Sequence, residues 1–133
     1  QPPELENATV TVSGRPNAEF YLSAKRIQRR VDGKESATLA TNDYGKRVLD
    51  EDGKFEMRCD SDHGLDVVLV ALDDEPLTLV VNADNLPEQT EEVAGKLKFA
   101  NIRFGWTDPD WASDPQDSLY EAERLIGTAK ADD

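Results

Sequence analysis

Apolar and polar residues alternate with a period of two along most of the chain, and the alternation stops at turn-forming residues. From Ala8 to Ser13, Val10 and Val12 face one side and Thr9 and Thr11 the other. This predicts a half-buried strand closed by Gly14-Arg15-Pro16-Asn17. From Ala18 onward, Phe20, Leu22 and Ala24 share one face while Glu19, Tyr21 and Ser23 share the other. The next apolar residues, Ile27 and Val31, are odd-numbered, so the parity slips by one. A slip turns every later side chain to the wrong face, and the expectation is a bulge or strand break near Lys25-Arg26. Asp32-Gly33-Lys34 reads as a turn that makes a hairpin of Gln28–Val31 and Ala37–Ala40, and Asn42-Asp43-Tyr44-Gly45 as a further turn.

Lys54 to Cys59 is the cleanest strand: Phe55, Met57 and Cys59 on one face, Lys54, Glu56 and Arg58 on the other. Leu65 to Leu72 is apolar on both faces, as expected of a central strand covered on two sides. After the turn Asp73-Asp74-Glu75-Pro76, residues Leu77, Leu79 and Val81 form the inward face of the next strand. Asn82 to Gly95 is polar, and Pro87 followed by Glu88, Glu91 and Glu92 suits the first turn of a short helix. Lys96 to Phe104 reads as a last strand with a second bulge near Phe99, because Leu97 and Phe99 are odd while Ala100, Ile102 and Phe104 are even. Ser113 or Asp114 then caps a helix from Pro115, with Leu119, Ala122 and Ile126 on one stripe and Gly127 as its stop. The expected core includes Phe55, Met57, Val67, Leu69, Leu79 and Val81.

Seven or eight short strands and one C-terminal helix predict a mainly β fold, a single antiparallel β-sandwich of the immunoglobulin-like kind. Residues 1–7 form an extended lead-in, 8–104 the sandwich and 115–127 the helix, all in one domain of 133 residues. A chain of this size buries roughly two-thirds of its unfolded surface, so it needs no staples. One cysteine rules out an intramolecular disulfide and a cysteine-rich zinc site. The longest apolar run, Val67 to Leu72, is far short of the roughly 18 residues of a membrane helix. The chain opens on Gln1 rather than methionine, so a residue or leader is expected to precede it.

Charge changes the picture most. With 28 acids against 15 bases the net charge is −13, which disfavours nucleic acid and anionic membranes as partners. Yet Lys25, Arg26, Arg29, Arg30 and Lys34 fall within ten residues. They read either as a charged edge strand guarded against sheet-to-sheet aggregation or as an electrostatic contact with an anionic partner, another copy of the chain included. The tail from Gly105 to Asp133, with eight acids and two bases, is a natural complement. Trp106 and Trp111 suggest a sugar-stacking alternative; the plainer reading has Phe104 and Trp106 finishing a strand's inner face while Trp111 and Tyr120 anchor the helix. A DNA-mimic inhibitor is a further alternative that the basic stretch opposes, and a high-salt habitat explains the acidity with no partner at all.

No motif selects a reaction. Asp50, Asp52, Asp60, Asp62 and Asp66 invite a calcium reading, but Asp60-Ser61-Asp62-His63-Gly64 places its glycine one position early for an EF-hand loop, so Asp60 and Asp62 read as solvated turn residues. His63, the sole histidine, sits in that polar turn without a nucleophile motif, and Cys59 reads as a small buried hydrophobe. No glycine-rich phosphate loop is present, and no cofactor is expected.

Asp52-Gly53-Lys54-Phe55, with Leu65–Val81 behind it and Val10–Gly14 and Ala18–Leu22 ahead, resembles the carboxypeptidase-regulatory-like, or prealbumin-like (transthyretin-like), sandwich domains over about residues 8–82. The chain departs from that pattern at Gly64-Leu65-Asp66, where glycine-x-tyrosine is usual, and in its longer, more basic Lys25–Lys34 segment. The resemblance implies a non-catalytic module, common on secreted or surface proteins, that serves adhesion, assembly or ligand binding. It transfers no functional residue. The expectation is therefore a non-enzymatic structural or interaction protein outside the cytoplasm, a subunit of a larger assembly whose partner is protein, other copies of itself first.

Overall fold

The computed structural model describes residues 4–29, 38–59, 63–105 and 115–131, without side chains at 27–29, 38–44 and 115–119. Within them run eight strands: β1 (Thr9–Gly14), β2 (Glu19–Arg29), β3 (Thr38–Val48), β4 (Lys54–Arg58), β5 (Gly64–Ala71), β6 (Leu77–Ala83), β7 (Leu86–Val93) and β8 (Phe99–Gly105). A helix, α1 (Pro115–Ala131), follows. The strands form two four-stranded sheets, ordered β4-β1-β6-β7 and β3-β2-β5-β8. Every neighbouring pair is antiparallel. The result is a β-sandwich with a C-terminal helix, as the alternation predicts.

The alternation explains the core. Val10 and Val12 of β1 and Leu77, Leu79 and Val81 of β6 pack against Phe20, Leu22 and Ala24 of β2, Leu65, Val67 and Leu69 of β5, and Ala100, Ile102 and Phe104 of β8. Each large aliphatic side chain so buried contributes roughly 1.5–3 kcal/mol relative to exposure. Phe55 and Met57, expected in the core, are only partly buried because β4 is an edge strand, and they pack against the rim of that core. All eight residues of β5 are buried. Its second face, Val68 and Val70, lies with Tyr21 beneath Ala122, Leu125 and Ala129 of α1. The molecule is therefore layered sheet, sheet, helix.

That third layer corrects several expectations. β2 carries no bulge near Lys25-Arg26, because its register with β3 and with β5 is unbroken. Tyr21 of β2 packs with the helix while Phe20, Leu22 and Ala24 line the core, so apolar residues suit both faces of this strand. Asn42-Asp43-Tyr44-Gly45 is not a turn; it lies inside β3, held in register by β2. Residues 82–95 hold no short helix: Asp84-Asn85 is a tight turn and β7 pairs back onto β6. Pro87 falls at the register shift opposite Asn82, where a missing N–H breaks no regular ladder pair. β8 has no bulge near Phe99 either; Leu97 sits before the strand with a positive φ of 64°, which accounts for the slip. Gly127 does not stop α1, which continues to Ala131, and its buried stripe is Ala122, Leu125 and Ala129 with Ile126 at the margin.

Candidate functional site

The basic segment belongs to a long hairpin. β2 pairs with β3 over eleven residues, from Glu19↔Val48 to Arg29↔Thr38, whereas β5 accompanies β2 only from Phe20 to Ile27. Gln28 and Arg29 therefore pair with Leu39 and Thr38 alone, as a two-stranded ribbon beyond the third strand. Strand geometry alternates side chains, so Lys25 and Arg26 fall on opposite faces. Lys25 and Arg26 are half-buried, and the side chain of Arg29 lies outside the described residues, as do Arg30 and Lys34. The charged edge-strand reading is corrected in one respect: the edge of this sheet is β3, and the described bases Lys25, Arg26 and Arg29 lie one strand in from it.

Lys25 stands opposite Asp66 of β5, which stands opposite Arg103 of β8. Asp66 is 6% exposed. Its Oδ1 accepts a hydrogen bond from Asn101 Nδ2 at 2.7 Å, and its Oδ2 lies 3.6 Å from Arg103 Nε. The same Asn101 amide donates to the Val67 carbonyl at 2.9 Å. A buried carboxylate held by Asn101 and Arg103 is an electrostatic clasp between β5 and β8, not a cation site. Asp50 is engaged too: its Oδ1 accepts the Asp52 and Lys54 amides at 2.9 Å each, closing the turn into β4.

The other sequence candidates disperse. Asp60 and Asp62 lie outside the described residues, as do Trp106 and Trp111, the pair behind the sugar reading. Among the described residues, no three histidine, cysteine, aspartate or glutamate side chains are grouped to hold a metal ion. Cys59 is buried in the inter-sheet core, and His63 is half-buried just before β5. Phe104 completes the inner face of β8 as expected. Tyr120, expected to anchor the helix, is 60% exposed, and the apolar stripe of α1 does that work instead.

Two features escape sequence reasoning. A pocket of about 100 Å³, lined by Tyr21, Leu72, Leu97 and Ala129 with Glu19, Lys46 and Lys96, opens where the end of α1 meets the sheet. Lys46 Nζ lies 3.4 Å from Glu19 Oε2 there, so the pocket's charge is partly cancelled. The second feature is β7, whose residues Leu86 to Glu92 are all exposed. Its polar sequence carries no period-two signal, and only pairing to β6 makes it a strand.

Compared with known proteins, the chain matches no family model, no curated protein and no solved structure. No helix among the described residues is long and apolar enough to cross a membrane.

Proposed function

We propose that the protein is a non-catalytic assembly module, of the prealbumin-like kind the sequence resembles, that binds further copies of itself through the β2–β3 hairpin. The observation that supports this reading is the basic stretch Lys25–Arg29 of β2, paired with Thr38–Asn42 of β3 and continuing past the third strand at Gln28 and Arg29, in an otherwise acidic chain. Oppositely charged surfaces steer encounter and fix which faces meet. Modules of the kind it resembles are common on secreted or surface proteins, which favours such a setting.

The test is native mass across a salt series. Raising ionic strength from physiological to 1 M shortens the screening length from about 8 Å to about 3 Å, so an electrostatic assembly dissociates. The double variant Arg29→Glu/Arg30→Glu is expected to be a monomer, with circular dichroism to check that it is folded. A lower unfolding midpoint with unchanged mass means that the hairpin pairs within its own chain. No change in either quantity reduces the basic stretch to a solvated rim and removes the proposal's support.

A further inference from the structure

We infer that Asn7 accepts an N-linked glycan, in the motif Asn7-Ala8-Thr9 that leads into β1. The inference rests on the secreted or surface setting proposed above and is independent of the hairpin contact. Of the six asparagines in the chain, Asn7 alone is followed two residues on by threonine or serine with no proline between. That spacing is what the transferring enzyme reads. A carboxamide nitrogen is a poor nucleophile, and a hydroxyl two residues on is recognised together with it.

Three residues make a short motif, and their place in the fold decides whether it can serve. An acceptor belongs on an exposed turn, because the attached sugar is bulky and hydrated. Asn7 is exposed in the bend before β1, between the exposed Glu6 and the fully buried Ala8. Thr9 follows half-buried at the start of β1. The φ of Asn7 is 51°, in the left-handed region that asparagine tolerates better than most side chains. Its hydrogen-bond partners are exposed and polar. Nδ2 donates to Asp84 Oδ2 at 2.6 Å, and Oδ1 accepts from Arg58 Nη2 at 3.3 Å.

The chemistry is compatible with those contacts. In the transfer, Nδ2 attacks the anomeric carbon of a sugar carried on a lipid phosphate. The N–C bond forms as the C–O bond from sugar to phosphate breaks, and that electron pair leaves with the lipid phosphate. One of the two Nδ2 protons passes to a base of the transferring enzyme. The product amide keeps one N–H and its carbonyl oxygen, so it retains a donor for Asp84 and an acceptor for Arg58. Arg58 ends β4, an edge strand of its sheet. A glycan on Asn7 therefore stands beside a free edge, and covering an edge keeps it from pairing with other chains.

The experiment is mass spectrometry of the full chain exported by the cells that make it, with fragmentation to locate any added mass. The fragment carrying Asn7 is expected to be heavier than its sequence by whole sugar units. Thr9→Ala deletes the hydroxyl but neither contact of the Asn7 amide, and is expected to abolish that excess. Thr9→Ser, which restores a hydroxyl, is expected to keep it. Circular dichroism checks that both variants are folded. An exported wild type whose Asn7 fragment has its bare sequence mass overturns the inference and leaves the setting standing. So does an excess that survives Thr9→Ala. A chain found only inside the cell overturns the setting and the inference together. The hairpin contact is tested separately, by the salt series.

Discussion

Leu69 is fully buried on the inner face of β5, opposite Leu22 of β2 and Ala100 of β8. Truncating it to alanine opens a cavity at the centre of the sandwich, and the expected loss in urea unfolding is about 2–5 kcal/mol. A loss below about 1 kcal/mol would contradict its place at the centre of the core. Gly53 is constrained differently. Its φ is +73°, and a Cβ there would collide with the carbonyl oxygen of Gly14, whose own amide donates to the Gly53 carbonyl at 3.0 Å. Gly53→Ala is therefore expected to lower stability by more than about 1 kcal/mol, measured the same way. The turn that holds this glycine is closed by the Asp50 carboxylate. Two residues thus fix how β4 meets β1; Gly53 was legible in the Asp52-Gly53-Lys54-Phe55 motif, whereas Asp50 read only as one of the calcium candidates.

Among the elements, those with two different faces were the readable ones. Val10 and Val12, Phe20 and Leu22, and Leu77 to Val81 place their apolar residues on one side, and the two-sided run of Leu65 to Leu72 marked the buried central strand. β7 was hidden because backbone pairing defines it, and a row of exposed polar side chains writes no alternation into the sequence. Asn42-Asp43-Tyr44-Gly45 carries turn chemistry but is overruled by eleven consecutive pairings with β2. Of the candidate site, the basic cluster was visible in the sequence; its place one strand in from the sheet edge was not, because pairing with β3, and not alternation, sets it. In α1, Gly127 is exposed inside the helix, and a Cβ there meets nothing within 4 Å. Gly127→Ala is expected to stabilise the protein by about 0.5–1 kcal/mol in thermal or urea unfolding, since alanine loses less backbone entropy in a helix.

For the molecule as a whole, of the described carboxylates that suggested calcium, Asp50 is engaged by backbone amides and Asp66 by Asn101 and Arg103, and Asp52 belongs to no group of three ligating side chains among the described residues. Unfolding midpoints in excess calcium and in chelator are therefore expected to agree, because a ligand raises stability only by binding the folded state. A rise of several degrees with calcium would make Asp60 and Asp62 a binding site. The architecture also has a consequence in time. β1 sits between β4 and β6, and its partner in the second pairing, Val10↔Val81, lies far downstream in the chain. During synthesis at roughly 5–20 residues per second, β1 must wait several seconds before that neighbour exists. The β2–β3 hairpin, built from adjacent segments, can close first. The nascent chain would therefore display its basic ribbon before the sandwich behind it is complete.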